Sequence, residues 1–346
     1  MTKSEDSFVR WLASRSSARR ADVMIGIGDD MAMLRAGMAA RNRRHAAKPG
    51  PTPILITADM LMDGVDFDSS THTPEQIGRK SLAASLSDCA AMAVRPRFAL
   101  VSVALPQAWS MEQAKQLYSG IEKLAAAYEC AIVGGDTNSW AHPLAIDVIV
   151  IAEPWEGVQP VRRNRMRPGD AVCVTGMLGG SLVVPPGSGR PRLPHHLIFE
   201  PRVREAHWLA AGLGKHLSAM MDLSDGLSID AARMADASGC GIEFDSAAME
   251  CVVSQAAVAA AREDGRSPTD HLLNDGEDFE LLFAVDRPGL SILRQSDMVR
   301  GDATARPPDQ WTRIGMAVKG RGIWLRRDDG RRERIESRGW QHFKDA

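Results

Sequence analysis

The segment Asp222-Leu223-Ser224-Asp225-Gly226 stands between a short apolar run at 219–221 and a helical pattern at 227–237. A strand that delivers two carboxylates and a glycine to the start of a helix is the grammar of an α/β protein, in which ligands meet the chain where strands end. The same grammar recurs upstream. Residues 23–27 read as a strand ending in Gly28-Asp29-Asp30, residues 54–57 as a β-branched strand ending at Ala58-Asp59, and residues 131–133 as a strand running into Gly134-Gly135-Asp136. Residues 74–94 have helical spacing, open with Pro74-Glu75, stop at Arg95-Pro96 and carry Ser87-Asp88. Further strands are expected at 31–34, 98–105, 144–152, 171–175 and 281–285, with a hairpin around Asp328-Asp329-Gly330. Helices are expected around Phe8 and Trp11, at 111–128 and at 201–213. The fold class that follows is α/β (α+β), built as two related halves.

A chain of 346 residues exceeds one ordinary core and fits two domains of roughly 150 residues each. Pro154, Gly157 and Pro160 punctuate the middle, so the expected division is 1–153 and 154–346. Loops rich in Gly, Pro and Arg are expected at 37–53 and 185–194. A formal net charge of -2 argues against a nucleic-acid partner. No run approaches the roughly 20 apolar residues of a membrane span. The first residues, with Lys3, Glu5, Asp6 and Arg10, lack a secretion pattern, so a cytoplasmic protein is expected. Cys89, Cys130, Cys173, Cys240 and Cys251 are widely spaced without a C-x-x-C pair, and read as reduced core thiols rather than disulfides or a zinc site. The basic runs at 41–45 and 162–167 read as solvated loops, with Arg163 considered further below.

The carboxylates carry the functional signal. Any one Asp beside a glycine is more often a turn residue than a ligand. Asp29, Asp30, Asp59, Asp136, Asp222 and Asp225 repeat one local pattern, and Asp88 joins them from a helix. If they converge they need cations, and an all-oxygen donor set calls for magnesium, calcium or manganese rather than zinc. Divalent ions between Asp rows and a triphosphate make a nucleotide a sensible ligand. The backbone N–H groups around Gly226, and less strongly Gly134-Gly135, are candidate anion sites at a strand–helix junction. No Walker A loop and no protein-kinase H-R-D or D-F-G signature occurs, so an ATP user of another design is required.

Seven motifs in order, GIGDD (26–30), ITAD (56–59), LSDCAAM (86–92), VGGDT (133–137), MRPGD (166–170), DLSDGL (222–227) and DGEDFELLF (275–283), resemble the thiamine-monophosphate kinase family over about residues 5–345. The resemblance implies the two-domain aminoimidazole ribonucleotide synthetase-like fold, a homodimer formed through the N-terminal sheet, and ATP-dependent phosphorylation of thiamine monophosphate to thiamine diphosphate. It implies magnesium ligation by Asp30, Thr57, Asp59, Asp88, Asp136, Asp222 and Asp225. It further implies nucleotide contacts from Gly135, Asp136, Arg163 and Ser224, and acceptor contacts from Glu277 and Trp340, the latter stacking on a cationic heterocycle. Two positions depart from the family pattern. Asp66, itself a candidate acceptor-binding residue, stands where members commonly have His on the acceptor side, and Ser85 stands where they commonly have Asn. Two other readings stay open on sequence alone: a related enzyme using a different phosphate acceptor, and a nucleotide-binding homologue without catalysis.

Overall fold

The computed structural model describes residues 5–15, 22–35, 52–184, 193–295 and 311–340. The loops expected at 37–53 and 185–194 lie outside the described residues apart from their last two positions, and the basic run at 41–45 lies wholly outside them. In chain order the first half contains α1 (Glu5–Arg15), β1 (Val23–Ile25), β2 (Ala32–Arg35), β3 (Pro53–Met62), α2 (Pro74–Ala91), β4 (Val94–Pro106), α3 (Met111–Ala127), β5 (Ala131–Trp140) and β6 (Ala145–Pro154). The second half contains β7 (Ala171–Thr175), α4 (His195–Ile198), α5 (Val203–Leu213), β8 (Leu217–Asp222), α6 (Leu227–Ser238), β9 (Gly241–Asp245), α7 (Ser246–Glu250), α8 (Gln255–Asp264) and α9 (Pro268–Asn274). It ends with β10 (Leu281–Val285), α10 (Arg287–Gln295), β11 (Trp311–Val318), β12 (Gly322–Arg326) and β13 (Arg332–Ile335).

The first sheet has the order β1-β2-β3-β6-β4-β5, with β4 and β5 parallel across the α3 crossover and the other neighbours antiparallel. Strict alternation orients it. Ile146, Val148, Val150 and Ala152 of β6 are buried beneath the helices, while Asp147, Ile149 and Ile151 point to the other, more open face. Thr57 and Asp59 pair with Val150 and Val148, so both look toward the helix layer. α2 begins with a capping box between Thr73 and Gln76 and packs on α3 at close range. At that crossing a Cβ on Gly78 would lie 2.0 Å from the Leu117 carbonyl oxygen.

The second sheet runs β13-β12-β9-β11-β7-β10-β8. Its faces are sorted by alternation: Cys173, Met220, Leu281 and Phe283 join the apolar core of the first half, whereas Val172, Val174, Met221 and Leu282 form a separate core with α6. Several strands are longer than the sequence suggested. β3 continues through Asp59 to Met62, β5 continues through Gly134-Gly135-Asp136, and β4 starts at Val94, accommodating Pro96 beside a bulge. β9 and β11 carried no alternation long enough to announce them. Among the described residues no helix is long and apolar enough to cross a membrane. Cys89, Cys130, Cys173 and Cys240 are buried, and all five cysteines are free.

Gly78→Ala forces α2 and α3 apart, an overpacking cost of about 1–3 kcal/mol. A melting curve is expected to show a midpoint lower by roughly 2–12 °C. Gly212→Ala, on α5 with open space around the added methyl, is expected to leave the midpoint unchanged or slightly higher.

Candidate metal and phosphate site

Four elements of the chain bring carboxylates to the seam between the two halves. Asp30 follows β1 through Gly28, whose φ of 121° a side chain would resist. Asp59 faces the helix layer from β3, Asp88 lies near the end of α2, and Asp222 is the last residue of β8. One oxygen each of Asp30, Asp88 and Asp222 lies within 4.8 Å of the others. Neutral donors orient the carboxylates: the Thr57 hydroxyl donates to Asp88 Oδ2, and Ser87 Oγ donates to Asp222 Oδ2 at 2.7 Å. Arg163 contributes a cation, with its guanidinium 2.5 Å from Asp30 Oδ1 and 3.6 Å from Asp29 Oδ1.

The electrostatics are those of anions short of counter-charge. Burial pushes the Asp30 carboxyl up to about 7, with Arg163 opposing it and Asp222 and Asp29 reinforcing it. Burial likewise raises Asp59 to about 6 against the neighbouring Ser85 hydroxyl, and Asp222 to about 6 against Ser87. Asp88 is driven well above the usual range by burial and then by Asp59, Asp222 and Asp30. Asp30 Oδ2 and Asp59 Oδ2 are buried without a hydrogen-bond donor. Orphaned carboxylate oxygens in an all-oxygen set fit a hard divalent cation such as magnesium.

Other expected residues are placed differently. Asp225 adjoins Asp222, where its charge raises that carboxyl, and is paired with Arg233. The anion site expected around Gly226 is filled by the chain itself: Asp230 Oδ2 accepts from the N–H groups of Asp225 and Gly226 at 3.0 and 3.2 Å. Asp230, in the first turn of α6, reaches back to the N–H groups at the start of its own helix, which the strand–helix grammar did not reveal. Ser224 offers its carbonyl to the Glu277 N–H at 2.7 Å. Trp340 is 43% exposed, and its backbone N–H donates to the Asp225 carbonyl. The Asp66 carboxylate accepts from the Met62 N–H at 2.7 Å, so it closes its own turn.

Asp136 and Gly135 do not join the carboxylates within this chain. β5 is the far edge of the sheet, three strands from β3, or about 14 Å at ordinary strand spacing. Asp136 also stands in register with Ser102, Asp147 and Met60, which places it on the face opposite Asp59. A glycine-flanked Asp looks alike in sequence whether its strand is central or at an edge. Sequence reasoning missed Ser87 as a ligand orienter and missed Lys80 altogether. Lys80 is buried, donates to Glu277 Oε1 at 2.6 Å, and lies 2.9 Å from His196 Nδ1. The available signal was its spacing of seven and eight residues from Ser87 and Asp88, which puts the three on one helical face.

The family model for the AIR synthase related protein, N-terminal domain, matches residues 28–153, and that for the C-terminal domain matches residues 167–322. Thiamine-monophosphate kinase of Rhodopirellula baltica is 36% identical over 98% of this chain and 97% of its own length. The chain belongs to the thiamine-monophosphate kinase family. The family member of Bacillus subtilis is 31% identical over 94% of the chain and 95% of its own. Among solved structures, AaThiL complexed with AMPPCP and TMP is similar with a TM-score of 0.74 and 25% identity, over 98% of this chain and 97% of that one. The thiamine-monophosphate kinase of Stenotrophomonas maltophilia is similar with a TM-score of 0.64 and 29% identity, over 94% and 95%.

In the metal-free protein the raised carboxyl groups contribute stability that is complete below about pH 3.9, their unfolded value, and is lost as pH rises through about 6–7. Magnesium binding requires the charged forms and reverses the loss. The gain in melting temperature on adding magnesium over chelator is therefore expected to be larger at about pH 8 than at about pH 5.5. An equal gain at both values would contradict a carboxylate cation site.

Proposed function

We propose that this chain is a kinase that transfers the γ-phosphoryl group of ATP to thiamine monophosphate, giving thiamine diphosphate and ADP. The observation that carries the reading is the convergence of Asp30, Asp88 and Asp222 beside Arg163, in a chain of the thiamine-monophosphate kinase family. The same reading divides the chain into an N-terminal domain, 1–153, and a C-terminal domain, 154–346. It is supported by one sheet drawn from residues 23–154 and another from residues 171–335. We place the protein in the cytoplasm, where both substrates are available.

The role of each residue follows from its surroundings. Asp30, Thr57, Asp59, Asp88, Asp222 and Asp225 hold magnesium. The bound ions supply the positive charge that lets a triphosphate and a phosphomonoester approach in line. Arg163 exchanges Asp30 for a nucleotide phosphate, for which its planar fork is suited, and Ser224 contacts the same nucleotide. Glu277 and Trp340 receive the acceptor, whose thiazolium charge favours a carboxylate and an aromatic face. Asp66 steadies the loop on the acceptor side through Met62. The acceptor phosphate has a second pKa near 6 and is largely ionised at neutral pH, so no side-chain base is needed. Transfer is direct.

A coupled assay with ATP, magnesium and thiamine monophosphate is expected to yield thiamine diphosphate. Asp222→Asn is expected to lower kcat by roughly a hundredfold or more. It should leave the metal-free melting midpoint unchanged or higher, because Asn keeps an acceptor for Ser87 and removes a buried charge. Turnover of another phosphate ester in preference would shift the assignment to a related enzyme.

The second part of the proposal is a homodimer. β5 is a ten-residue edge strand exposed along most of its length, and the open face of its sheet carries Met60, Met62 and Phe98 in largely exposed positions. Exposed edges and apolar faces of this extent are covered in stable proteins. Gly135 and Asp136 lie on that edge, and we assign them to the nucleotide and magnesium held by the second copy. Asp136→Asn and Asp222→Asn homodimers should each be nearly inactive. Mixed and allowed to exchange subunits, they should recover activity, since a heterodimer would hold one intact site. No recovery under demonstrated exchange would confine Asp136 to its own chain.

A further inference from the structure

Two of the places where α2 meets the second half of the chain concern the site. Ser87, which binds Asp222, and Asp88 mark one of them. Lys80, seven and eight residues earlier, marks the other, about 10–12 Å away along the helix axis. The Lys80 side chain is wholly buried, an unusual place for an ammonium that an apolar residue of similar length could fill. Its Nζ donates to the Asp66 carbonyl and, at 2.6 Å, to Glu277 Oε1, and lies 2.9 Å from His196 Nδ1. Three neighbours match the three hydrogens of the ammonium, so none is left for a ligand.

The residue held on the other side is itself constrained. Glu277 has a φ of 54°, a left-handed conformation that a glutamate keeps only when its surroundings determine it. Its backbone N–H donates to the Ser224 carbonyl at 2.7 Å, and its carboxylate is held by Lys80 and lies 3.2 Å from His196 Nδ1. Lys80 thus ties the loop after β3, through Asp66, to the segment before β10, through Glu277. It does so from the same helix that carries Asp88.

We propose, resting on the kinase reading above, that Lys80 is a positioning residue of the acceptor site. It fixes the Glu277 carboxylate at a set distance from the Asp30, Asp88 and Asp222 group. An acceptor whose cationic ring lies against Glu277 then presents its phosphate at the metal end. Lys80 touches neither substrate and acts through Glu277. α2 is the ruler that joins the two ends.

The test uses the full chain with Lys80→Met, Lys80→Arg, Glu277→Gln and the Lys80→Met/Glu277→Gln double variant, with KM for each substrate, kcat and melting midpoint measured for all. Lys80→Met is expected to raise KM for thiamine monophosphate by roughly tenfold or more while KM for ATP stays within about twofold. Lys80→Arg should recover part of the acceptor affinity. The double variant should be no worse than the poorer single variant, because both changes disable one unit. A purely structural lysine would lower the midpoint and the active fraction without moving the acceptor KM, and that result would overturn the proposal, as would losses that multiply. Should Lys80→Met fail to fold, unchanged acceptor KM in both Lys80→Arg and Glu277→Gln would overturn it equally. Wild-type protein without turnover of thiamine monophosphate would sink the kinase reading, whereas turnover with an unmoved acceptor KM would sink the role of Lys80 alone.

Discussion

Like charges gathered out of water without enough counter-charge are the constraint around which the molecule is arranged. Asp30, Asp59, Asp88 and Asp222 arrive from the turn between β1 and β2, from β3, from α2 and from β8, and burial raises the carboxyl pKa of all four. Arg163 supplies a cation on one side, but the hydroxyls of Thr57 and Ser87 orient oxygens without neutralising them. A protein that needed only stability would replace such a group with apolar side chains. Its persistence, with two oxygens left without donors, points to positive charge brought by a ligand.

Holding that arrangement requires the two halves to be fixed against one another. The apolar core of the first half runs without interruption onto one face of the second sheet, through Phe199, Val203 and Leu281. Polar contacts reinforce the seam at its rim, where the Tyr128 hydroxyl, with one hydrogen to give, lies 2.7 Å from both a Glu200 carboxylate oxygen and the Pro201 carbonyl. Within the second half, Glu280 receives Arg202 and Thr175, which locks the strand beside Asp222. α2 is the element common to all of this. It packs tightly on α3 at Gly78, forms part of the core, and presents Lys80, Ser87 and Asp88 to the other half.

Asp66 has a clear part in the turn it occupies. Its carboxylate closes the turn after β3 by accepting from Met62, and its carbonyl receives Lys80. The position therefore fixes the loop after β3 and joins it to α2.

The alternating strands and helices, the two halves and nearly every carboxylate of the site could be read from the chain, because glycines and short polar runs at strand ends are written locally. The Asp222 to Leu227 stretch and the Asp30 turn lie where that grammar puts them. Which of these carboxylates meet was decided by strand order and face. Asp59 and Asp136 have the same local sequence character, yet sheet order and two-residue periodicity put them on opposite faces three strands apart. The burial of Lys80 against Glu277, nearly two hundred positions away, likewise depends on a contact between distant segments. Local sequence sets what each element offers. Only packing, which brings together residues with no neighbourhood in the chain, determines what each one receives.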